Sequence, residues 1–147
     1  MTQKTVAIAS DHGGFEMKAI LKEELVAQGC AVIDLGTDSP GSVDYPDFAA
    51  AVAKVIREGH AQSGVLVCGT GIGISIAANR YPEIRAALVH DAFTARLSRQ
   101  HNDANVICFG GRTIGIEVAK DCLRIFLNTA FEGGRHARRV DKLRSPA

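Results

Sequence analysis

At 147 residues, 46% hydrophobic and 22% charged, the chain has the length of one domain, 1–147, with enough apolar side chain to bury a full core and no room for a second. A formal net charge of +1 excludes a global field that would steer the molecule toward nucleic acid or an anionic membrane, so any anion recognition has to be local. No apolar run approaches the roughly 20 residues of a membrane span or the pattern of a signal peptide, and Cys30, Cys68, Cys108 and Cys122 form no C-x-x-C pair; the expectation is a cytoplasmic protein with no metal site and no disulfide framework.

Thr5 to Ser10 is a short apolar run that stops at Asp11-His12-Gly13-Gly14, a buried strand and its loop. From Phe15 to Gln28 the residues Met17, Ile20, Leu21 and Leu25 recur at helical spacing, and Gly29 supplies the stop. Ala31 to Leu35 is a second strand, and Gly36 to Pro46 a long loop whose end, Asp44-Tyr45-Pro46, opens a helix to about Glu58 with Pro46 in its first turn. Ser63 to Val67 is the third strand. Cys68 follows, then Gly69, Gly71 and Gly73 at alternate positions and a helix ending near Tyr81-Pro82. Arg85 to Val89 is the fourth strand, with Asp91 placed to cap a helix from about Ala92 to Gln100. Val106 to Phe109 is the fifth, followed by Gly110-Gly111-Arg112-Thr113 and a helix from about Gly115 to Leu127.

Five strands alternating with five helices imply parallel pairing and right-handed crossovers: an α/β protein, a three-layer α/β/α sandwich on a five-stranded, doubly wound sheet of Rossmann-like kind. Ligands of such sheets bind outside the carboxyl ends of the strands. Those ends carry Asp11-His12, Cys68 with its glycines, His90-Asp91, and Gly110-Gly111-Arg112.

A glycine loop at a helix start can turn several N–H groups toward one anion, although glycines alone serve equally well for a tight turn. Cys68, on the rim of that loop, sits where a thiol loses its proton more readily than the free group and becomes a nucleophile or base. Asp11 and His12 share its rim, though they suit a turn pair as well. His101, at the end of the helix from Ala92, belongs at the opposite rim, because that helix runs back against the strands. If His101 is catalytic, it has to enter the site of a neighbouring copy. In the basic segment 132–147, a composition usually solvated, Arg135 and Arg139 are four apart and would share a face if helical, a spacing fit for phosphate that Arg112 could join.

Ser10-Asp11-His12-Gly13-Gly14, Gly36-Thr37, Asp44-Tyr45-Pro46, Cys68-Gly69-Thr70-Gly71-Ile72-Gly73-Ile74-Ser75, Ala77-Ala78-Asn79, Ser98-Arg99-Gln100-His101-Asn102 and Glu132-Gly133-Gly134-Arg135-His136 together resemble the ribose-5-phosphate isomerase B family across nearly the whole chain. The resemblance implies a cofactor-free and metal-free isomerase of ribose 5-phosphate and ribulose 5-phosphate in the pentose phosphate pathway, a homodimer or dimer of dimers with sites between subunits. It implies Cys68 as the base that moves a proton between C2 and C1, His101 as the ring opener, and Asp11, His12, Gly69, Thr70, Gly71, Ile72, Gly73 and Asn102 around the sugar. Arg112, Arg135 and Arg139, helped by His12, would take the phosphate. One branch of the family carries a glutamate base at the position of Ile74; with Cys68 and no acid there, this chain falls in the cysteine branch. Carbonyl transfer needs an enediolate stabilised, a task for the cradle amides with Thr70 adding a hydroxyl. Two other readings remain from the residues: an isomerase of a six-carbon aldose phosphate, and a non-catalytic phosphate- or nucleotide-binding module, which would not need both Cys68 and His101.

Overall fold

The computed structural model describes residues 3–145. In chain order the elements are β1 (Thr5–Ser10), a 3-10 turn (His12–Gly14), α1 (Phe15–Ala27), β2 (Ala31–Asp34), α2 (Tyr45–Arg57), β3 (Ser63–Cys68), α3 (Ile72–Ala78), β4 (Ala86–Leu88), α4 (Ala92–Gln100), β5 (Val106–Gly110), α5 (Ile116–Asn128) and α6 (Arg135–Arg144). All strand pairs are parallel, in the order β2-β1-β3-β5-β4. Side chains alternate between the two faces of the sheet. Val6, Ile8, Val65, Val67, Ile107 and Phe109 meet α1, α4 and α5, whereas Ala7, Ala9, Leu66, Cys68, Val106 and Cys108 meet α2 and α3. This is the expected three-layer sandwich.

Placing β5 between β3 and β4 makes β3 the central strand. The chain leaves β3 toward the α2/α3 face and leaves β1 and β5 toward the other face, so a crevice opens at the carboxyl end of β3. The loop from Gly36 begins by extending the sheet: Ser10 donates its N–H to the Gly36 carbonyl at 2.8 Å and accepts from Thr37 N–H at 2.8 Å, around a cis Gly36–Thr37 peptide.

The basic C-terminal segment, whose composition suggested a solvated tail, is helical as α6. His136 and Val140, four apart, are buried against the body, and that anchorage outweighs the charge of the outer face.

Charge also enters the core margin. Lys18 on α1, 3% exposed, donates to Asp34 at 2.7 and 3.0 Å, and Lys22 adds a third contact at 3.2 Å. Burial pushes the Asp34 carboxyl up, but Lys18, the Gly36 N–H and Lys22 outweigh it and hold the group below its ordinary range. A depressed carboxyl stabilises the fold above its unfolded pKa and loses that contribution as pH falls through the folded value. Asp34→Ala strands the buried Lys18 ammonium and should cost about 3 kcal/mol in urea unfolding at pH 7. Lys18→Met, which leaves Asp34 with Lys22 and the Gly36 amide, should cost less than half of that, and the Asp34→Ala penalty should shrink below about pH 4. Equal costs at pH 7 would mean the ammonium is not what Asp34 serves.

Candidate active site

Cys68 is the last residue of β3 and is 5% exposed, so its sulfur lies at the floor of the glycine cradle rather than on the rim. The chain turns at Gly71, whose φ of +78° is open to glycine. A Cβ there would stand 2.5 Å from Leu88 Cδ1 and 2.9 Å from the Phe109 carbonyl carbon. The turn aims the Gly71 N–H at Cys68 Sγ, 3.1 Å away, while Ile72 N–H goes to Thr70 Oγ1 at 3.2 Å. Among the described residues the amides of Gly69 and Thr70 are left without an acceptor. Gly111 N–H donates to the Cys68 carbonyl at 2.8 Å and Arg112 N–H to that of Gly69 at 2.9 Å, so the turn after β5 is fastened to the cradle. The Arg112 guanidinium lies beside Gly69, within 3.2 Å of where a Cβ would be.

On the β1 side, Asp11 Oδ1 accepts from Gly13 N–H at 2.9 Å and Gly14 N–H at 3.2 Å, so Asp11 shapes the turn as well as standing on the rim. His12 Nδ1 accepts the Val43 N–H at 3.2 Å, which ties the 36–46 loop across the crevice and leaves Nε2 as the ring's donor. Tyr45 is an addition. Its ring stands over Gly73, where a Cβ would come within 2.7 Å of Cζ and 3.1 Å of the hydroxyl. The signal was present in Asp44-Tyr45-Pro46, in which only a helix start is legible.

The remaining candidates gather at the other edge of the sheet. Asp91 caps α4 by accepting Thr94 N–H at 2.8 Å, and the helix runs back to Gln100, delivering His101 and Asn102 beside the amino ends of the strands. Asp103, with φ +47°, holds Arg99 at 2.9 Å and Arg85 at 3.4 Å and secures that loop. Arg135 and Arg139 lie four apart within α6, so they share a face as their spacing would have it in a helix, and both are exposed. Glu132 N–H reaches the Gln100 carbonyl at 3.1 Å and binds the α6 approach to α4. One six-residue strand, roughly 17 Å at about 3.3 Å per residue, therefore separates His101, Asn102, Arg135 and Arg139 from Asp11, His12, Cys68 to Gly73 and Arg112. A single copy does not bring Cys68 and His101 together.

His101, Glu132 and His136 place ligand-capable atoms within 4.8 Å of one another. The two imidazoles are stacked, with centroids 4.2 Å apart and planes 14° apart. A bound ion lies in the plane of each imidazole at about 2.1 Å, and planes so nearly parallel do not meet close to either nitrogen. The cluster does not fit a metal without rebuilding. The thiols of Cys30, Cys108 and Cys122 are raised, each chiefly by burial, in keeping with small core residues.

The model of the ribose/galactose isomerase family matches residues 6–143. The chain is 46% identical over 140 residues to the ribose-5-phosphate isomerase B of Escherichia coli K12, covering 95% of this chain and 94% of that one. The solved ribose 5-phosphate isomerase of Thermotoga maritima superposes with a TM-score of 0.94 at 50% identity, covering 97% and 98% of the two chains. The type B enzyme of Trypanosoma brucei does so with a TM-score of 0.95 at 42% identity, covering 99% and 100%.

The cradle geometry yields a graded test. Gly29→Ala meets only left-handed strain, since its φ is +84° with open space around it, and should cost about 1 kcal/mol. Gly71→Ala meets the same strain and the Phe109 backbone, so urea unfolding should report a loss of at least about 2 kcal/mol, with activity falling alongside. Equal costs would mean that the cradle is not closely packed.

Proposed function

Because the chain belongs to the ribose/galactose isomerase family, we infer that it interconverts ribose 5-phosphate and ribulose 5-phosphate, the activity for which its relatives in Escherichia coli and Thermotoga maritima are named. The observation that carries the mechanism is the Gly71 N–H on Cys68 Sγ within a loop of unspent amides. Those relatives' names favour a five-carbon sugar over a six-carbon one.

Neutral His101 takes the proton of the anomeric hydroxyl. The ring C1–O bond breaks as the carbonyl forms, and the ring oxygen leaves with the proton returned by the imidazolium. The Cys68 thiolate, to whose sulfur the Gly71 N–H donates, removes the C2 proton to give the enediolate and delivers it to C1. Charge develops first on the C1 oxygen and, as the C2 hydroxyl proton passes across to it, on the C2 oxygen, and the amides of Gly69 and Thr70 meet it. Thr70 Oγ1 accepts the Ile72 N–H, so its own proton is free to follow the oxygens. Gly71, Ile72 and Gly73 shape the wall of the sugar site, Asp11 and Asn102 address its hydroxyls, and Arg112, Arg135, Arg139 and His12 Nε2 hold the phosphate, which supplies orientation for the step at C1 and C2.

Because the two sets of residues lie at opposite edges of the sheet, the reading requires at least a dimer, each site joining Cys68 of one copy to His101 of the other. Exposed apolar side chains beside the cradle support such pairing: Ile72 and Ile76, four apart on α3, with Phe93 at the start of α4. Among the described residues no helix is long and apolar enough to cross a membrane. Four free thiols suit a reducing compartment, and we place the enzyme in the cytoplasm.

Cys68→Ala should lower exchange of the C2 hydrogen with solvent by at least about 100-fold, read by NMR in deuterium oxide, while sugar-phosphate binding persists; retained exchange would remove Cys68 from the role. Sharing of sites has its own readout. Cys68→Ala and His101→Asn homodimers should each be nearly inactive. Unfolded and refolded together in equal amounts, they should recover about a quarter of wild-type activity, because half the dimers are mixed and each mixed dimer holds one intact site. No recovery would place both residues in one copy's site.

A further inference from the structure

One buried side chain at the amino edge has no part in the scheme above. His136, on the first turn of α6, is 6% exposed, and its Nε2 has no hydrogen-bond partner. Its ring lies flat on that of His101, at 4.2 Å between centroids. Glu132 stands across the edge of both rings, with Oε1 4.0 Å from His101 Nε2 and 3.7 Å from His136 Nε2. An orphaned buried nitrogen costs free energy, and a solvent-exposed alternative would have been easy to reach from a helix whose neighbours Arg135, Arg138 and Arg139 all face out.

We propose that His136 is the positioning residue of the ring-opening step: it is the wall that holds the His101 imidazole in one orientation, and it stays uncharged while His101 gains and loses the proton. This rests on His101 being the ring opener. Stacking removes the freedom of the His101 ring to turn about its side-chain bonds, and only the face away from His136 and the ring edge remain open to substrate. A second positive charge in the stack is disfavoured by burial and by the cations around it. Burial lowers the His136 pKa, as do His101, Arg135 and Arg139 in that order of effect beside it, and Glu132 alone opposes them. A proton taken from the sugar hydroxyl therefore stays on His101, from which it can be returned to the ring oxygen. When His101 is an imidazolium, the neutral ring beneath it presents a π face to the cation. His136 also lies between Arg135 and Arg139 on α6. The helix that grips phosphate is thus the helix that backs the acid-base group.

The test compares His136→Ala, which removes the wall, with His136→Phe, which keeps a flat uncharged ring. Each is assayed on ribose 5-phosphate and on a four-carbon aldose phosphate, whose phosphorylated terminal oxygen prevents closure of a five-membered ring. His136→Ala should lower kcat on ribose 5-phosphate about tenfold, with KM and turnover of the four-carbon sugar within about twofold, and His136→Phe should restore kcat to within about threefold of wild type. In wild-type protein, NMR titration of the side-chain nitrogens should show His136 neutral throughout the range in which His101 titrates. Equal loss on both sugars, no rescue by phenylalanine, or a charged His136 where His101 titrates would overturn the proposal. If His136→Ala does not fold, the phenylalanine variant and the wild-type titration still decide it. His101→Asn on the same two sugars separates the levels: loss confined to ribose 5-phosphate sustains the ring-opening reading whatever His136 does, whereas equal loss removes that reading itself.

Discussion

The left-handed turn at Gly71 is the constraint on which the carboxyl-edge site depends. It brings the Gly71 amide nitrogen to 3.1 Å from the Cys68 sulfur, with its hydrogen donated to that sulfur, and leaves the two preceding amides without an acceptor among the described residues. The same turn packs against the Phe109 backbone and Leu88, so the geometry of the thiol is secured by β5 and β4, elements far from it in sequence. A sulfur on a mobile loop could carry the same charge but not the same aim. Because β3 is central, flanked by β1 and β5, both neighbours contribute their loops: Asp11 and His12 from one, Gly111 and Arg112 from the other.

Parallel strands and antiparallel helices impose the second constraint. Every loop that follows a strand lies at one edge of the sheet, and every loop that follows a helix lies at the other. His101 follows α4 and Arg135 follows α5, so neither can approach Cys68 within the copy that carries it. A chemistry that needs both a thiol base and an imidazole acid-base group on this fold therefore points to association between copies. The amino edge is built with matching care: Asp103 secures the His101 loop through Arg85 and Arg99, and α6 folds back to bury His136 against His101.

Local pattern made much of this legible. Apolar runs of five or six residues, helical repeats such as Met17-Leu21-Leu25 and the stops at Gly29 and Gly36 mark most elements to within a residue or two, since periodicity and turn chemistry act over short distances, whereas α3 ends at Ala78, short of the stop expected near Tyr81-Pro82. The direction of α4 was enough to send His101 to the far edge. The helix at Arg135–Arg144 was obscured, because its composition is dominated by an outer face of arginines while its burial rests on His136 and Val140 alone. Tyr45 was hidden for a similar reason, as its contact with Gly73 joins two elements that only the sheet brings together.

The sequence by itself determined the fold class, the edge on which the thiol cradle forms, the opposition of Cys68 and His101, and the family. Tertiary structure alone decided that β5 inserts between β3 and β4, that the Cys68 sulfur lies at the floor of its cradle, that Lys18 is buried against Asp34, and that His136 stacks on His101. The division follows from range. Strands, helices and turns are set by neighbours along the chain, whereas burial, strand order and ring stacking depend on residues that meet only after the sheet has closed over its two cores.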